Sequence, residues 1–421
     1  MFTFPEQVPS IALRISSLAR FFLIVIQYVT INRGLLQRII TGEKVGKGQR
    51  TIGDQSGTLP NILLRRMIMK KLFIPILVIV AAFFCYLLFW PTKIDPVAYT
   101  PAKKPEMSGV LAQNSELLKS ELIAKGKING PEDVVIDTEG RLYGGTQDGK
   151  IVRILKDGSI EIFAETGGRP LGLAFDASGN LIVADAYKGL LSIDAAGKTT
   201  VLATGAEDTP FRFTDHLDIA SNGKIYFTDA SFKYFQKEYL YDLLEARPNG
   251  RFLRYDPKTK TTDVLLRDLY FSNGVALSQN EDFVLVNETY RYRIKRYWLK
   301  GPKAGTSDIF IDNLPGFPDN ITANRKGIFW LALFTVRNDQ MDRMHPIPFM
   351  KKIVSRLPKF LWPKPKPYGF VLALNEKGEI IKSLQEPTGE HLKEITCARE
   401  HGEFLYLGSL HNDRIGKYKL E

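Results

Sequence analysis

Six stretches of this chain repeat one unit, beginning near Gly130, Gly168, Phe213, Phe271, Phe317 and Thr396. Three are plain: GPEDVVIDTEGRLYGGTQDGKIVRI (130–154), GRPLGLAFDASGNLIVADAYKGLLSID (168–194) and FTDHLDIASNGKIYFTDAS (213–231). Each begins as a strand, a polar turn containing Gly, and a second strand that ends in small or acidic residues. Starts spaced by about forty to eighty residues suit four-stranded blades with insertions, because one blade cannot bury both faces and must stack on neighbours around a channel. The expected fold is all-β, a six-bladed β-propeller with four-stranded blades, and function is expected in its central channel.

The start of an innermost strand faces the propeller axis, so polar residues recurring there converge although far apart in sequence. Those places hold Glu132, Asp215, Asn273 and the pair Asp319 and Asn320. All are oxygen donors, with no His or Cys among them, and that inventory suits a hard cation, calcium rather than zinc. Asp and Asn also cap turns, which would explain any one of the five more readily than all five at equivalent positions.

Charge excludes one class of partner. Residues 1–71 carry 11 Lys and Arg against 3 acids, leaving 46 against 43 in the rest of the chain. Of the net charge of +11, +8 belongs to residues 1–71 and +3 to the rest, which is only mildly basic, and no clustered basic face with stacking aromatics remains in the bulk of the chain to support nucleic-acid binding.

The run Leu72–Trp90, LFIPILVIVAAFFCYLLFW, has no charge and is about as long as a bilayer's hydrocarbon core requires. Arg65, Arg66, Lys70 and Lys71 precede it, so the positive-inside rule predicts a single-pass signal anchor with the N-terminus cytoplasmic. The propeller is then periplasmic, or lumenal and extracellular. A cleaved signal peptide fits less well, since bulky Phe89 and Trp90 end the run and no A-x-A site follows at once. Residues 1–66 read as a cytoplasmic tail with one short apolar patch, 21–29; Met67 or Met69, just before the anchor, is an alternative start. Residues 91–116 read as a Pro- and Lys-rich stalk and 117–421 as the propeller, with Glu121–Ile128 supplying an outer strand to the last blade. Cys85 and Cys397 fall in anchor and final blade, which leaves no intrachain disulfide.

Two insertions are expected over the channel mouth. Phe232–Arg247 has helical apolar spacing; Gln340–Pro367 interleaves bulky apolar residues with Lys351, Lys352, Arg356, Lys359, Lys364 and Lys366. The second reads equally as a membrane-surface segment or as a lid with a solvated basic face. Of two N-x-S/T sequons, that at Asn287 is open to glycosylation in a lumenal setting, and that at Asn320 is expected to be hidden in the channel.

The motifs PLGLAFDASGNLIVADAYKGL, GKIYFTDAS, FSNGVALS, LPGFPDNI and LYLGSL strongly resemble the strictosidine synthase-like family, from about residue 115 to the end. Related propellers are the paraoxonases and the senescence-marker gluconolactonases, which hold a catalytic calcium and hydrolyse esters or lactones. The resemblance implies calcium ligands at Glu132, Asn273, Asp319 and Asn320, with Asp215 where the pattern usually has Asn. Asp133 would match one acid of a second, structural calcium, but its partner acid falls on His216, so a second ion is not expected. The catalytic Glu of plant strictosidine synthases falls on Thr396, which cannot act as a base at neutral pH. The expectation is therefore a calcium-dependent arylesterase or lactonase taking a small lipophilic substrate, with Asp319 or a histidine, His216, His391 or His411, as base. A non-catalytic propeller that binds a lipid or a partner around a structural calcium is the alternative. No G-x-S-x-G elbow accompanies Ser231 or Ser272.

Overall fold

The repeat becomes six four-stranded antiparallel sheets in a computed structural model that describes residues 59–420, with side chains from Phe73 onward. The innermost strands, in blade order, begin at Val134, Pro170, Thr214, Ser272, Gly316 and Ile395. The second strand of a blade is flanked by neighbours on both faces and is largely buried. Leu181–Asp185 and Phe283–Glu288 are accordingly buried at every position. Outer strands such as Thr199–Ala203 face solvent and lack that burial.

The turn between first and second strands shares one mechanism in blades one, two and five, where Asp137, Asp176 and Asn324 cap it. In blade two, Asp176 Oδ1 accepts the backbone N–H groups of Ser178 and Asn180 at 2.9 and 2.8 Å. Gly179 then takes a left-handed φ of +81°, a conformation that costs glycine little. Ring closure is the one predicted from sequence: Glu121–Ile123 pairs antiparallel with Ile415–Lys419 as the outermost strand of the last blade, Glu121 opposite Lys417. One blade thus draws on both ends of the propeller sequence, which ties the ring shut, while the outermost strand of each blade remains a sheet edge.

Thr92–Glu421 forms one compact unit, and the chain ahead of it is a separate one. In that separate part, helix α1 (Leu59–Phe89) covers the predicted anchor and contains Pro75. Among the described residues no helix is long and apolar enough to cross a membrane, so the anchor stands as a proposal below. Residues 1–58, with the apolar patch 21–29 and most of the predicted tail, lie outside the described residues.

Both insertions connect second to third strands, in blades three and five, and so emerge at the end of the propeller where innermost strands begin. The first forms α2 (Tyr239–Glu245); the second forms α3 (Asp339–Met344) and α4 (Pro348–Arg356). They share a small core of Tyr234, Leu244, Met341, Met344 and Trp362 that also takes in Ile94. Residues 92–104 cross this lid in extended form. Val97 N donates to Glu245 O and Tyr99 N to His345 O, while Lys351 Nζ donates back to Val97 O at 2.6 Å.

Candidate functional site at the upper end of the channel

Backbone irregularity aims the site side chains. The pairing register shifts between Thr214 and Leu217, between Ser272 and Val275, between Pro318 and Ile321, and between Ile395 and Cys397. These bulges bracket Asp215, Asn273, Asp319 with Asn320, and Thr396, so a regular alternation is broken where each polar group must turn toward the axis. Glycine permits the innermost strands to close up there. A Cβ on Gly274 would stand 2.5 Å from Asp319 O, and one on Gly172 2.8 Å from Asp215 O.

The five predicted ligands come together as a buried cluster. Asn320 Nδ2 donates to Glu132 Oε1 at 3.1 Å, and the Asn273 side-chain amide hydrogen-bonds Asp319. Glu132 Oε2, Asn273 Oδ1 and Asn320 Oδ1 are buried oxygens without a hydrogen-bond partner. Burial pushes Glu132 well above the ordinary carboxylate range, and the charges of Asp319, Asp215 and Asp133 push it further. Burial, then Asp319 and Asp229, raises Asp215; Asp319 is pushed up to about 8 by burial, against the Asn273 hydrogen bond. Three acids and three orphaned oxygens in a buried cluster are opposed only in part by the nearby Arg169, and the donor set fits a hard cation. Among the described residues no three His, Cys, Asp or Glu side chains form a metal-holding group by themselves, so any such site must draw on the two amide oxygens.

Above the cluster lies a cavity of about 110 Å³ that reaches Glu132, Asp215, Asn273 and Asp319. Its walls are apolar, including Phe213, Phe271, Phe317, Leu243 and Met341, the last two from the lid. Phe271 packs edge to face on Phe213 with centroids 5.1 Å apart and stacks on Tyr290 at 4.4 Å. The threonine hydroxyls that line it are engaged: Thr289 donates to Pro318 O, Thr335 to Lys366 O and Thr396 to Glu132 O, at 2.7, 2.7 and 2.6 Å. None is free to act as a nucleophile.

The structure does not bring His216 to this cavity. It lines a second, polar cavity of about 270 Å³ with Asp218, Arg325, Arg399 and His401, at the end where innermost strands finish. His216 Nδ1 accepts the Val275 N–H at 3.0 Å, which places the ring proton on Nε2, 3.6 Å from Asp133 Oδ2. Asp133 Oδ1 accepts the Val134 N–H and Oδ2 the Leu173 N–H, and Arg399 Nη2 reaches both oxygens at 3.3 and 3.2 Å. Burial alone would raise Asp133, but the Arg399 guanidinium and His216 outweigh it and hold the carboxyl well below its usual range. His391 Nε2 meets Ser120 O at 2.9 Å on the outer side of the last blade.

Sequence reasoning missed Arg169, the burial of Asn287, and the pairing of His411, a base candidate it had named, with Glu394. Arg169, from the start of the second blade's innermost strand, is buried and partly offsets Glu132 and Asp215; its place in the repeat was the available signal. His411 Nδ1 stands 2.6 Å from Glu394 Oε2, with its ring edge-on to Phe334 of the cavity wall. Asn287 is fully buried and its Nδ2 donates to Asp319 O. This corrects the expectation of an open sequon at Asn287, since a buried amide on the second strand of a blade cannot take a glycan.

Residues 109–154 match the family model described as Strictosidine synthase-like, N-terminal, and residues 215–302 the one described as Strictosidine synthase. The adipocyte plasma membrane-associated protein of Rattus norvegicus is 37% identical over 359 residues, covering 78% of this chain and 94% of the relative. Protein STRICTOSIDINE SYNTHASE-LIKE 6 of Arabidopsis thaliana is 38% identical, over 71% of this chain and 81% of that protein. Among solved structures, a gluconolactonase from Xanthomonas campestris superposes with a TM-score of 0.54 at 16% identity, covering 79% of this chain and 99% of its own. A calcium-binding protein, regucalcin, from Agrobacterium tumefaciens gives 0.51 at 15% identity, covering 72% and 92%. Likeness at that identity establishes the propeller and nothing finer.

Proposed function

The chain belongs to the strictosidine synthase-like family, and from that membership and its channel chemistry we propose a membrane-anchored, calcium-dependent hydrolase of the arylesterase or lactonase type. The observation that carries the reading is the set of unpartnered buried oxygens, Glu132 Oε2, Asn273 Oδ1 and Asn320 Oδ1, beneath an apolar cavity. Two similar folds point the same way by their descriptions, one a gluconolactonase and one a calcium-binding protein.

Glu132, Asp215, Asn273, Asp319 and Asn320 would hold the ion. Calcium bound there supplies Lewis acidity at a substrate carbonyl and stabilises negative charge on its oxygen. The chain's own residues do the rest. Phe213, Phe271 and Phe317 exclude water from one side and orient a small aromatic or aliphatic ester. A carboxylate oxygen of Asp319 would take the proton of the attacking water and return it to the departing alcohol or phenol oxygen as the acyl C–O bond breaks, and Asn287 fixes the Asp319 main chain. The neutral Thr396, committed to Glu132 O, offers no base for amine condensation, so strictosidine formation is not part of the proposal.

Helix α1 is proposed as the anchor, with the N-terminus cytoplasmic and the propeller on the far side; the membrane-associated name of the rat relative supports a membrane setting. One observation favours a second reading, a non-catalytic lipid or partner carrier with structural calcium: among the described residues no histidine lines the apolar cavity. Hydrolysis of phenyl acetate and a lactone panel by the full chain in detergent, with calcium and with chelator, separates the two. Calcium-dependent turnover lost in Asp319→Asn supports the hydrolase. Bound calcium without turnover supports the carrier.

A further inference from the structure

The second insertion carries an apolar face that nothing in the propeller covers. Ile347, Phe349, Met350, Phe360 and Leu361 are 47, 53, 42, 70 and 54% exposed. They stand around α4 and the short 3-10 turn Lys359–Leu361. The opposite side of the same segment is fixed: Met344 and Trp362 are buried in the lid core, and Trp362 meets Tyr241 edge-on at 5.3 Å. The exposed set is therefore the outer surface of an ordered lid.

Its charge is one-sided. Residues 343–366 contain Arg343, Lys351, Lys352, Arg356, Lys359, Lys364 and Lys366 and no Asp or Glu. Lys351 is buried on Val97 O, while Arg343, Lys359, Lys364 and Lys366 are exposed. Large apolar side chains with a predominantly cationic rim, on which the exposed Asp339 stands beside Arg343, match the layered chemistry of an anionic bilayer surface, acyl chains below and phosphate groups above.

The covalent connection brings that surface within reach. Thr92, two residues after the apolar run ends at Trp90, has its Oγ1 2.6 Å from Ser355 Oγ of α4. Tyr234 OH donates to Lys93 O, and Arg247 binds Asp95 through its backbone and carboxylate oxygens. The chain that leaves the apolar run is thus bound to both halves of the lid at once. Two residues of extended chain span only about 7 Å, so a lid bonded to Thr92 stays close to wherever the run emerges from lipid.

We propose that the 343–366 face docks on the surface of an anionic bilayer, so that the cavity opens toward the membrane and receives its ligand from it. Asn338, Met341, Pro363, Lys364 and Pro365 of the same insertion line the cavity, which makes its wall continuous with the docked face. The proposal rests on the anchor reading above and does not depend on hydrolysis.

The test uses the full chain in lipid nanodiscs, in a Cys85→Ser background because Cys85 is exposed and Cys397 is buried. A bimane label is placed at Phe360→Cys or, as a control on an outer strand, at Ile381→Cys, which is 48% exposed. Quenching by doxyl-labelled lipid should be several-fold stronger at 360 than at 381 when the discs contain phosphatidylglycerol. Combining Lys359→Glu, Lys364→Glu and Lys366→Glu should remove most of that difference. Equal quenching at both sites in a chain that has entered the discs overturns the docking while leaving the anchor intact. Protection of position 360 by self-association, without quenching, also overturns it. A chain that does not enter the discs contradicts the anchor and, with it, this proposal.

Discussion

Glu132 and Asp133 are adjacent, both buried and both acidic, yet they belong to opposite ends of the channel and to opposite electrostatic regimes. At the lower end, the oxygens of Asp133 meet two backbone N–H groups and Arg399, and the carboxyl is held ionised. At the upper end, Glu132 faces Asp215 and Asp319 with only a buried Arg169 in partial opposition, and burial and like charge favour its neutral form. Asp215 and His216 repeat the split one blade pair away. A buried acid answered by protein donors is a structural device, whereas a buried cluster left short of positive charge is prepared for something the chain does not contain.

Substitutions at the two ends should fail in different ways. Asp133→Asn leaves Arg399 without its counter-charge and should cost about 3–5 kcal/mol of stability, read by denaturant unfolding, with calcium affinity changed only slightly. If it instead abolished calcium binding at unchanged stability, the division between the ends would collapse. Glu132→Gln and Asp319→Asn should reverse that profile: a fall of at least about a hundredfold in calcium affinity and turnover, with the circular dichroism spectrum retained. Gly274→Ala sharpens the point, because its Cβ would meet Asp319 O at 2.5 Å and Ile321 N at 2.4 Å. It should destabilise by about 1–3 kcal/mol and weaken calcium binding as well, by displacing Asp319.

The lid holds a buried acid of its own. Burial pushes Asp242 from 3.8 up to about 7, against hydrogen bonds from Ser231 and Asn249. Between about pH 4 and pH 7 the unfolded chain has released this proton and the folded chain retains it. Stability should therefore fall as pH rises through that window, by at most about 1.4 kcal/mol per unit. Asp242→Asn should flatten this part of the profile in thermal melts across pH. An unchanged profile would place the pH dependence elsewhere.

The propeller was legible because its signal is periodic: a strand, a tight turn and a buried second strand recur, and in blades one, two and five the turn is led by Asp137, Asp176 or Asn324 and holds a left-handed Gly. The five polar residues at the starts of the innermost strands were legible for the same reason. What sets them apart from their neighbours was not. Bulges at Asp215, Asn273 and Asp319 are choices of pairing register, which side-chain pattern alone does not specify. The Asp133–Arg399 pair joins residues 266 apart in sequence, and Asn287 carries a sequon whose burial follows only from its place on a second strand. The bonds of residues 92–104 to the lid were equally hidden, since extended chain rich in Pro and Lys has the same composition whether it hangs free or lies against a surface.

One end of the channel, and not the other, holds more buried negative charge than the chain's own cations answer. The most direct measurement is the number of calcium ions bound per chain, by equilibrium dialysis of the full-length protein, Glu132→Gln and Asp133→Asn. The account predicts one ion in the wild type, none in Glu132→Gln and one in folded Asp133→Asn. Calcium retained at full stoichiometry by Glu132→Gln, or none bound by the wild type, would contradict it.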